Sequence, residues 1–373
     1  MNPNIEYNTQ PKHSLKMSED PYDIVNGLRR SAILGAKDKM NADSGFGERV
    51  PFSITATWEK GSVFDSEGDL QCHAPPEIAK EVKYPTMNTF CPLISVGCFA
   101  LVYMMQAAER DWQFESFELE VSADADLSCF YKPTEAFGCL PWKDGLKIDI
   151  VARGPRSEED MKMLGDIADR YCPAVEILKR EFPVEVVNFN AIEIEVQDKT
   201  VYYDMDKYKS LSEQKEHIVV HQSGKGSWMC HNESCDFPDA LMVFEFQSDG
   251  NAKLALSKEP PMASGRYPNP VKMCFFGGLS TYLHTIAVRL YARGYLVKQI
   301  EGKIQSVLNN RMVMGVDEGR FILPEGAEIQ IEVESDAPEE VVDVVQWEAQ
   351  QMSPSFMNWS NFIDVQVNIK KGE

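Results

Sequence analysis

The stretch "LPWKDGLKIDI" occupies residues 140–150, and "LPEGAEIQI" occupies residues 323–331. In both, a Leu-Pro pair leads into a glycine turn and then into the alternating apolar pattern of a strand. Leu140 falls on Leu323 at an offset of 183 residues, whereas Gly145 falls on Gly326 at an offset of 181. Further matches in the same order join Cys91 to Cys274, Arg110 to Arg293, and Val184 to Val365. A colinear series whose one length change lies in a turn predicts two copies of one structural unit.

Composition limits the class of protein. The 373 residues are 43% hydrophobic and 25% charged, which is ordinary for a globular chain of about two domains. The net charge of −21 disfavours nucleic acid and anionic membranes as partners. Neither a membrane span nor a signal peptide is predicted, so we expect a cytoplasmic protein. The nine cysteines are odd in number and irregularly spaced, which in a reducing compartment predicts free thiols.

Each copy shows the same predicted order of elements: a hairpin, a long helix, two strands, a second helix and a closing strand. In the first copy these are "FSITATW" (52–58) with "DLQCHAPP" (69–76) as its return strand, a helix over 92–110, "SFELEVSA" (116–123), "LKIDIVAR" (146–153), a helix after Ser157, and "FPVEVVNF" (182–189). In the second copy they begin with "ALMVFEF" (240–246) and "AKLALS" (252–257), a helix over 271–293, "IEGKIQSV" (300–307) and "AEIQIEVE" (327–334). The predicted fold class is therefore α+β.

Two features refine the helices. Ser157 is a good N-cap for the acidic turn that follows it, and Cys172-Pro173 ends that helix because the residue before proline avoids the helical region. In the second long helix, the glycines of "GGLS" (277–280) are expected to allow close packing. The predicted organisation is an N-terminal extension (1–47) with an amphipathic helix in "DPYDIVNGLRRSAILGAKDKM" (20–40), a first copy (48–190), a connector (191–236) and a second copy (237–373).

Two motifs bring a family resemblance. "SVGCFALVYM" (95–104) lies in the first long helix, and "DRYCPAVEILK" (169–179) ends the second. A small-residue run, a cysteine in an apolar helix and a later Cys-Pro after an acidic helix resemble the OsmC/Ohr family. The resemblance covers about residues 50–187 and 238–370. It implies a curved antiparallel sheet around two long helices, and an intimate dimer that is here fused into one chain as a pseudo-dimer.

The activity that the resemblance implies is thiol-dependent reduction of organic hydroperoxides. Cys98 matches the cysteine that attacks the peroxide, and Cys172 matches the cysteine that resolves the sulfenic acid as a disulfide. An external dithiol is the expected reductant, and no metal or organic cofactor is expected. In the second copy, Thr281 and Ser353 stand at these positions. Since neither forms a disulfide, we expect the second copy to be structural.

The sequence departs from the family where the thiolate needs a cation. Active members place an arginine near the sulfur, held by a carboxylate, and in one branch that carboxylate lies ten residues before the cysteine. Asn88 occupies this position. The first hairpin turn offers Lys60, and Lys83 and Arg266 precede the two Tyr-Pro pairs. Without a cation the thiolate would be poorly stabilised, because Cys98 lies beyond the first turn of its helix.

Other interpretations remain open. The missing catalytic cation also fits a non-catalytic protein, in which the fused pair binds an apolar small molecule between its copies. Cys98 alone suits another reaction with an electrophile, and a buried cysteine is also ordinary core packing. Metal-capable residues in the connector, His221, Cys230, His231 and Cys235, lack the spacing of a zinc knuckle. Assembly of the pseudo-dimer into a further homo-oligomer is left open.

Overall fold

The computed structural model describes residues 6–7, 23–68, 70–80, 85–87, 92–132, 141–228, 241–246, 252–257, 262–263, 268–318, 321–323, 325–359 and 363–372. Its helices are α1 (Arg30–Ala42), α2 (Pro92–Glu109), α3 (Ser128–Tyr131), α4 (Glu158–Tyr171), α5 (Pro173–Lys179), α6 (Met205–Ser212), α7 (Pro270–Ala292), α8 (Asn310–Val313), α9 (Glu339–Met352) and α10 (Pro354–Trp359). Its strands are β1 (Glu6–Tyr7), β2 (Ile24–Val25), β3 (Leu28–Arg29), β4 (Val50–Glu59), β5 (Ser62–Asp65), β6 (Gln71–His73), β7 (Ser116–Asp126), β8 (Leu146–Arg153), β9 (Val184–Glu193), β10 (Val219–Trp228), β11 (Leu241–Phe246), β12 (Ala252–Ser257), β13 (Val297–Leu308), β14 (Ala327–Ser335) and β15 (Val365–Lys371).

The strands form two large sheets and one small hairpin. One sheet has the order β6-β5-β4-β13-β14-β9, the other β1-β12-β11-β10-β7-β8-β15, and β2 pairs with β3. Neighbours are antiparallel except in the pairs β14–β9, β15–β8 and β1–β12, which are parallel. Each large sheet therefore contains strands from both the N-terminal segment (residues 48–190) and the C-terminal segment (residues 237–373).

The two long helices lie between these sheets. Helix α2 packs against β7 and β10, helix α7 packs against β4 and β13, and the two helices pack against each other. Both are almost wholly buried where the structure describes their side chains, so neither has a broad solvent-facing side. Helices α4 and α9 cover the outer sides, against α2 and α7 respectively. The α+β class predicted from sequence agrees with this mixture of helices and largely antiparallel sheets.

Local sequence signals placed most elements correctly. Strand β8 alternates buried and more exposed residues as "LKIDIVAR" predicts. Ser157 caps α4 in a reciprocal capping box, in which its Oγ accepts the Asp160 N–H and the Asp160 carboxylate accepts the Ser157 N–H. Cys172 has extended backbone angles and separates α4 from α5, as expected before Pro173.

The first hairpin differs from the prediction. Lys60 and Gly61 have positive φ values of 51° and 81°, the geometry of a two-residue type I′ turn, so the chain reverses at once into β5. Strand β5 is therefore the return strand of β4. Among the described residues of "DLQCHAPP" (70–76), only Gln71–His73 forms a strand, and it pairs with β5. The predicted return strand was wrong because the short "SVFD" run was overlooked.

The N-terminal extension is only partly helical. Asn26 and Gly27 have φ values of 52° and 74°, and this tight turn joins β2 to β3 within the stretch for which a helix was predicted. The helix itself, α1, starts at Arg30. Asn26 is fully buried, and its side chain bonds the Trp112 carbonyl and the Phe114 N–H. Tertiary partners thus favour a turn where periodicity favoured a helix.

The connector is more ordered than its polar composition suggested. It contains α6 and β10, and β10 occupies the place between β11 and β7 in the larger sheet. Strand β10 pairs with β7 over nine residue positions, from Val219–Asp126 to Ser227–Glu118. The connector therefore supplies the strand that joins the hairpin β11–β12 to the rest of its sheet.

Close packing at Gly278 provides a test of the fold. A Cβ atom at Gly278 would overlap the Trp359 ring, whereas one at Gly35, on α1, would meet nothing within 4 Å. We expect Gly278→Ala to destabilise the protein by about 1–3 kcal/mol through overpacking. Gly35→Ala, the matched control, should be neutral or stabilising by about 0.5–1 kcal/mol. Urea unfolding midpoints measure both, and equal midpoints for the two variants would contradict this packing.

Candidate functional site

Cys98 lies on the seventh residue of α2, where the helix faces the centre of the molecule. Its side chain is 3% exposed, and Leu101, Val102 and Met105 follow it on the same side of the helix. Position seven is beyond the reach of the α2 macrodipole, as the sequence predicted. Any stabilisation of a thiolate here has to come from outside this helix.

Cys172 reaches Cys98 from the break between α4 and α5. The proline that follows it forces an extended backbone, and α5 packs directly against α2. The Cys172 side chain is fully buried, and its thiol is within hydrogen-bonding reach of the Cys98 thiol. The structure thus brings together the two cysteines that sequence analysis paired, and both are free thiols.

The environment of Cys172 keeps it protonated. Burial raises the pKa of the Cys172 thiol well above its usual value, and the neighbouring Cys98 adds to the effect. Backbone N–H groups of Val175 and Ala174 act in the opposite direction but do not reverse it. Cys172 is therefore a poor nucleophile while it faces a reduced Cys98.

A cavity of about 210 Å³ opens beside Cys98. Both segments line it, and most of the lining side chains are apolar. The N-terminal segment contributes Val50, Pro51, Phe52, Cys98, Leu101, Val102, Met105 and Pro173; the C-terminal segment contributes Asn269, Pro270, Val271, Lys272, Leu308, Asn310 and Val313. Cys172 is not among them, so a molecule in this cavity meets Cys98 first.

The charged residue of this cavity was not predicted from the sequence. Lys272 lies in the first turn of α7, and its Nζ is 2.8 Å from Glu67 Oε1 on the turn between β5 and β6. Asn269, which caps α7, and Asn310, on α8, are further polar lining residues. The sequence "NPVK" signals the start of a helix but does not indicate which cavity that start would face.

Of the three cations proposed from sequence, Lys60 lies in the described part of the chain and far from the cavity. Lys60 occupies the type I′ turn at the end of β4, with Glu59 3.4 Å away. Eight residues of strand, about 26 Å, separate it from Phe52 at the cavity. Asn88, Lys83 and Arg266 lie outside the described residues.

The counterparts of the two cysteines meet a different environment. Thr281 Oγ1 donates to the Gly277 carbonyl and lies 2.7 Å from Ser355 Oγ. Ser353 is fully buried, and its Oγ has no hydrogen-bond partner among the described residues. Thr281 thus contacts Ser355, and not Ser353, which the sequence comparison matched to Cys172.

The connector packs tyrosines onto α7. The Tyr203 hydroxyl accepts the Trp58 indole N–H at 2.6 Å and lies 2.8 Å from His284 Nδ1. The Tyr208 hydroxyl accepts from Arg289 Nη1 at 3.2 Å. These contacts fix the connector against the helix that carries Thr281.

The zinc alternative gains nothing from the described residues. Within them, no group of three or more His, Cys, Asp or Glu side chains is arranged to hold a metal ion. His221 Nδ1 is 2.7 Å from Asp124 Oδ1 across the β7–β10 pair. Cys230, His231 and Cys235 lie outside the described residues.

Comparison with known proteins adds no assignment. No protein-family model matches the sequence, and no curated protein is significantly similar to it. In the part of the chain that the structure describes, no helix combines the length and apolar character needed to cross a bilayer. The chemistry of the site therefore has to carry the functional conclusion.

The two cysteines should differ in reactivity. Cys98 borders the cavity, whereas Cys172 is fully buried and its pKa is raised, so we expect iodoacetamide to alkylate Cys98 at least about tenfold faster in the folded protein. Peptide mass spectrometry after timed quenching measures both rates. In urea the two rates should converge. Faster labelling of Cys172 in the folded protein would contradict the site geometry.

Buried His284 predicts a pH effect on stability. Burial lowers the pKa of His284 to about 3, and the nearby His73 adds to the shift. Below about pH 6.5 the unfolded chain gains a proton there that the folded chain does not, so stability falls as the pH drops. His284→Leu should remove up to about 1.4 kcal/mol of destabilisation per pH unit between pH 6 and pH 4. His221→Asn, at an exposed histidine, serves as the control. Unfolding midpoints measured between pH 4 and pH 6 test the prediction. If the stability of His284→Leu falls with pH as steeply as that of the wild type, the prediction is wrong.

Proposed function

We propose that this protein is a thiol-dependent hydroperoxide reductase of the OsmC/Ohr type. The observation that supports this most strongly is the contact between Cys98 and Cys172 at the edge of a mostly apolar cavity. Two core cysteines that were simply filling space would not need both a mutual contact and an opening beside one of them. The order of access also fits, because only Cys98 borders the cavity.

The proposed cycle uses these positions directly. The Cys98 thiol releases its proton, the thiolate attacks the terminal peroxide oxygen, the O–O bond breaks, and the departing alkoxide takes up a proton from solvent to leave as the alcohol. Cys172 then attacks the sulfenic sulfur of Cys98, so that water leaves and a disulfide forms. An external dithiol reduces this disulfide and is itself oxidised. The contact between the thiols limits further oxidation of Cys98, because the resolving sulfur is already in place.

The shape of the cavity favours an organic peroxide. Leu101, Val102, Met105 and Val313 present hydrocarbon to a bound molecule, and their burial excludes water from the reacting atoms. A cavity of about 210 Å³ holds a small or slender alkyl group. Hydrogen peroxide would leave most of this apolar surface unused.

The fused pseudo-dimer is part of the proposal. The two sheets support it through matching strand orders: β6-β5-β4-β13-β14-β9 corresponds to β12-β11-β10-β7-β8-β15, strand by strand. In each, a run of three antiparallel strands meets two strands from the other end of the chain, and a parallel strand closes the edge. In this order β4 matches β10, which was predicted as connector, and not the β11 stretch "ALMVFEF" that the sequence comparison suggested. With Thr281 and Ser353 in place of thiols, the second copy has no peroxidase chemistry of its own. Free, unbridged cysteines are compatible with the cytoplasmic location that we propose.

A non-catalytic role is the second candidate, and one observation favours it. The raised pKa and full burial of Cys172 suit an inert core thiol as well as a resolving one. In that case the cavity would hold an apolar small molecule without chemical change. The two candidates differ in whether Cys98 is consumed by peroxide.

Peroxide consumption separates them. In stopped-flow measurements with cumene hydroperoxide and dithiothreitol, we expect Cys98→Ser to lose at least about 100-fold in rate, because the nucleophile is gone. With peroxide but without dithiothreitol, Cys172→Ser should consume one equivalent and then stop as the Cys98 sulfenic acid, detected with dimedone. Cys129→Ser, another buried cysteine, is the matched control and should keep its rate. If the wild-type protein consumes peroxide no faster than Cys98→Ser, the enzyme proposal fails.

A further inference from the structure

We infer that Lys272, carried by the C-terminal segment, is the cation that stabilises negative charge on the Cys98 sulfur. This inference deepens the proposed function and rests on it for its catalytic meaning. It assigns the segment that has Thr281 and Ser353 in place of the two cysteines a direct part in the chemistry of the other segment. Neither composition nor the motif comparison pointed to this residue.

The cavity lining provides the first argument. Among its fifteen described lining residues, Lys272 alone carries a formal charge. Cys98 borders the same space, whose remaining walls are largely hydrocarbon. A charge acts more strongly across such a medium than across water, because little solvent screens it. Lys272 is thus the described residue best placed to favour the thiolate over the thiol.

The position of Lys272 in its helix provides the second argument. Lys272 stands in the first turn of α7, which contains no acidic residue. The positive end of the helix macrodipole disfavours a lysine there, so the placement costs local stability. Such violations of local preference concentrate at functional sites.

The contact with Glu67 provides the third argument, because it holds the ammonium group in place. Glu67 lies on a turn fixed by hydrogen bonds from Leu70 N–H to the Asp65 side chain and from Gly68 N–H to the Asp65 carbonyl. The Lys272 side chain is only 29% exposed and spans from the C-terminal to the N-terminal segment. An exposed pair of this kind stabilises the fold little. Its main consequence is to restrict where the lysine can be.

The test measures the reactivity of Cys98 directly. Iodoacetamide alkylation of Cys98 is followed by mass spectrometry between pH 5 and pH 10 in the wild type, Lys272→Gln, Lys272→Arg and the remote control Lys298→Gln. We expect the midpoint of the pH profile to move up by about one unit in Lys272→Gln, with about tenfold slower alkylation at pH 7. Lys272→Arg and Lys298→Gln should stay within about twofold of the wild type, because both keep the charge at the cavity. Circular dichroism and urea midpoints establish that each variant is folded; if Lys272→Gln is not, Lys272→Met takes its place.

The outcomes separate this inference from the proposed function. An unchanged pH profile in Lys272→Gln overturns the inference, whether or not the protein consumes peroxide. A shifted profile in a protein that does not consume cumene hydroperoxide supports the cation but removes the peroxidase. If the pH profile of Lys272→Gln is shifted and the wild-type protein consumes peroxide, the rate of peroxide consumption in Lys272→Gln should fall by the same factor as the rate of alkylation.

Discussion

The pairing of strands across the two segments is the constraint on which the structure depends. Strand β4 pairs with β13, and β7 and β8 lie between β10 and β15, so neither large sheet is complete without strands from both ends of the chain. Helices α2 and α7, each lying on one of these sheets, are thereby held against each other. The first turn of α7 therefore borders the same cavity as Cys98. A site built from both segments follows from how the sheets are closed.

The burial of polar groups differs sharply between the two long helices. Where α2 has Cys98, Leu101 and Val102, the matching positions of α7 are Thr281, His284 and Thr285, all fully buried. Each needs a hydrogen-bond partner to offset its desolvation, and the structure provides Gly277, Tyr203 and the Thr281 carbonyl. Helix α7 therefore has hydrogen-bonded polar side chains where α2 has a thiol and hydrocarbon. Its packing on β4 and β13 and against α2 gives it a structural role beside the part that we infer for Lys272.

The burial of Cys172 affects both the reactivity and the position of its sulfur. It raises the pKa of that thiol, which makes it unreactive toward a molecule in the cavity and leaves Cys98 as the point of attack. The same burial holds its sulfur against Cys98 through the Cys172-Pro173 break, so little motion is needed once Cys98 is oxidised. Access and proximity together order the two steps of the proposed cycle.

Much of this protein followed from sequence because local signals are short-range. The capping box at Ser157, the break before Pro173 and the alternation in "LKIDIVAR" depend on neighbours only a few residues away, and the structure has all three. The pairing of Cys98 with Cys172 came from motifs whose order the chain preserves. The turn at Asn26-Gly27 was overlooked because helical periodicity runs through it, although its residues are the usual ones for a type I′ turn.

What the sequence by itself determined is most of the helices and strands, the Ser157 cap and the two thiols. That Lys272 borders the same cavity as Cys98 was decided only by tertiary structure, since it is 174 positions away in the chain and reaches the cavity through the packing of α7 beside α2. The partner of Thr281 was likewise decided by packing, which set Ser355 rather than Ser353 against it. Contacts of this kind depend on how helices and sheets pack against one another, and no local pattern of residues encodes that packing.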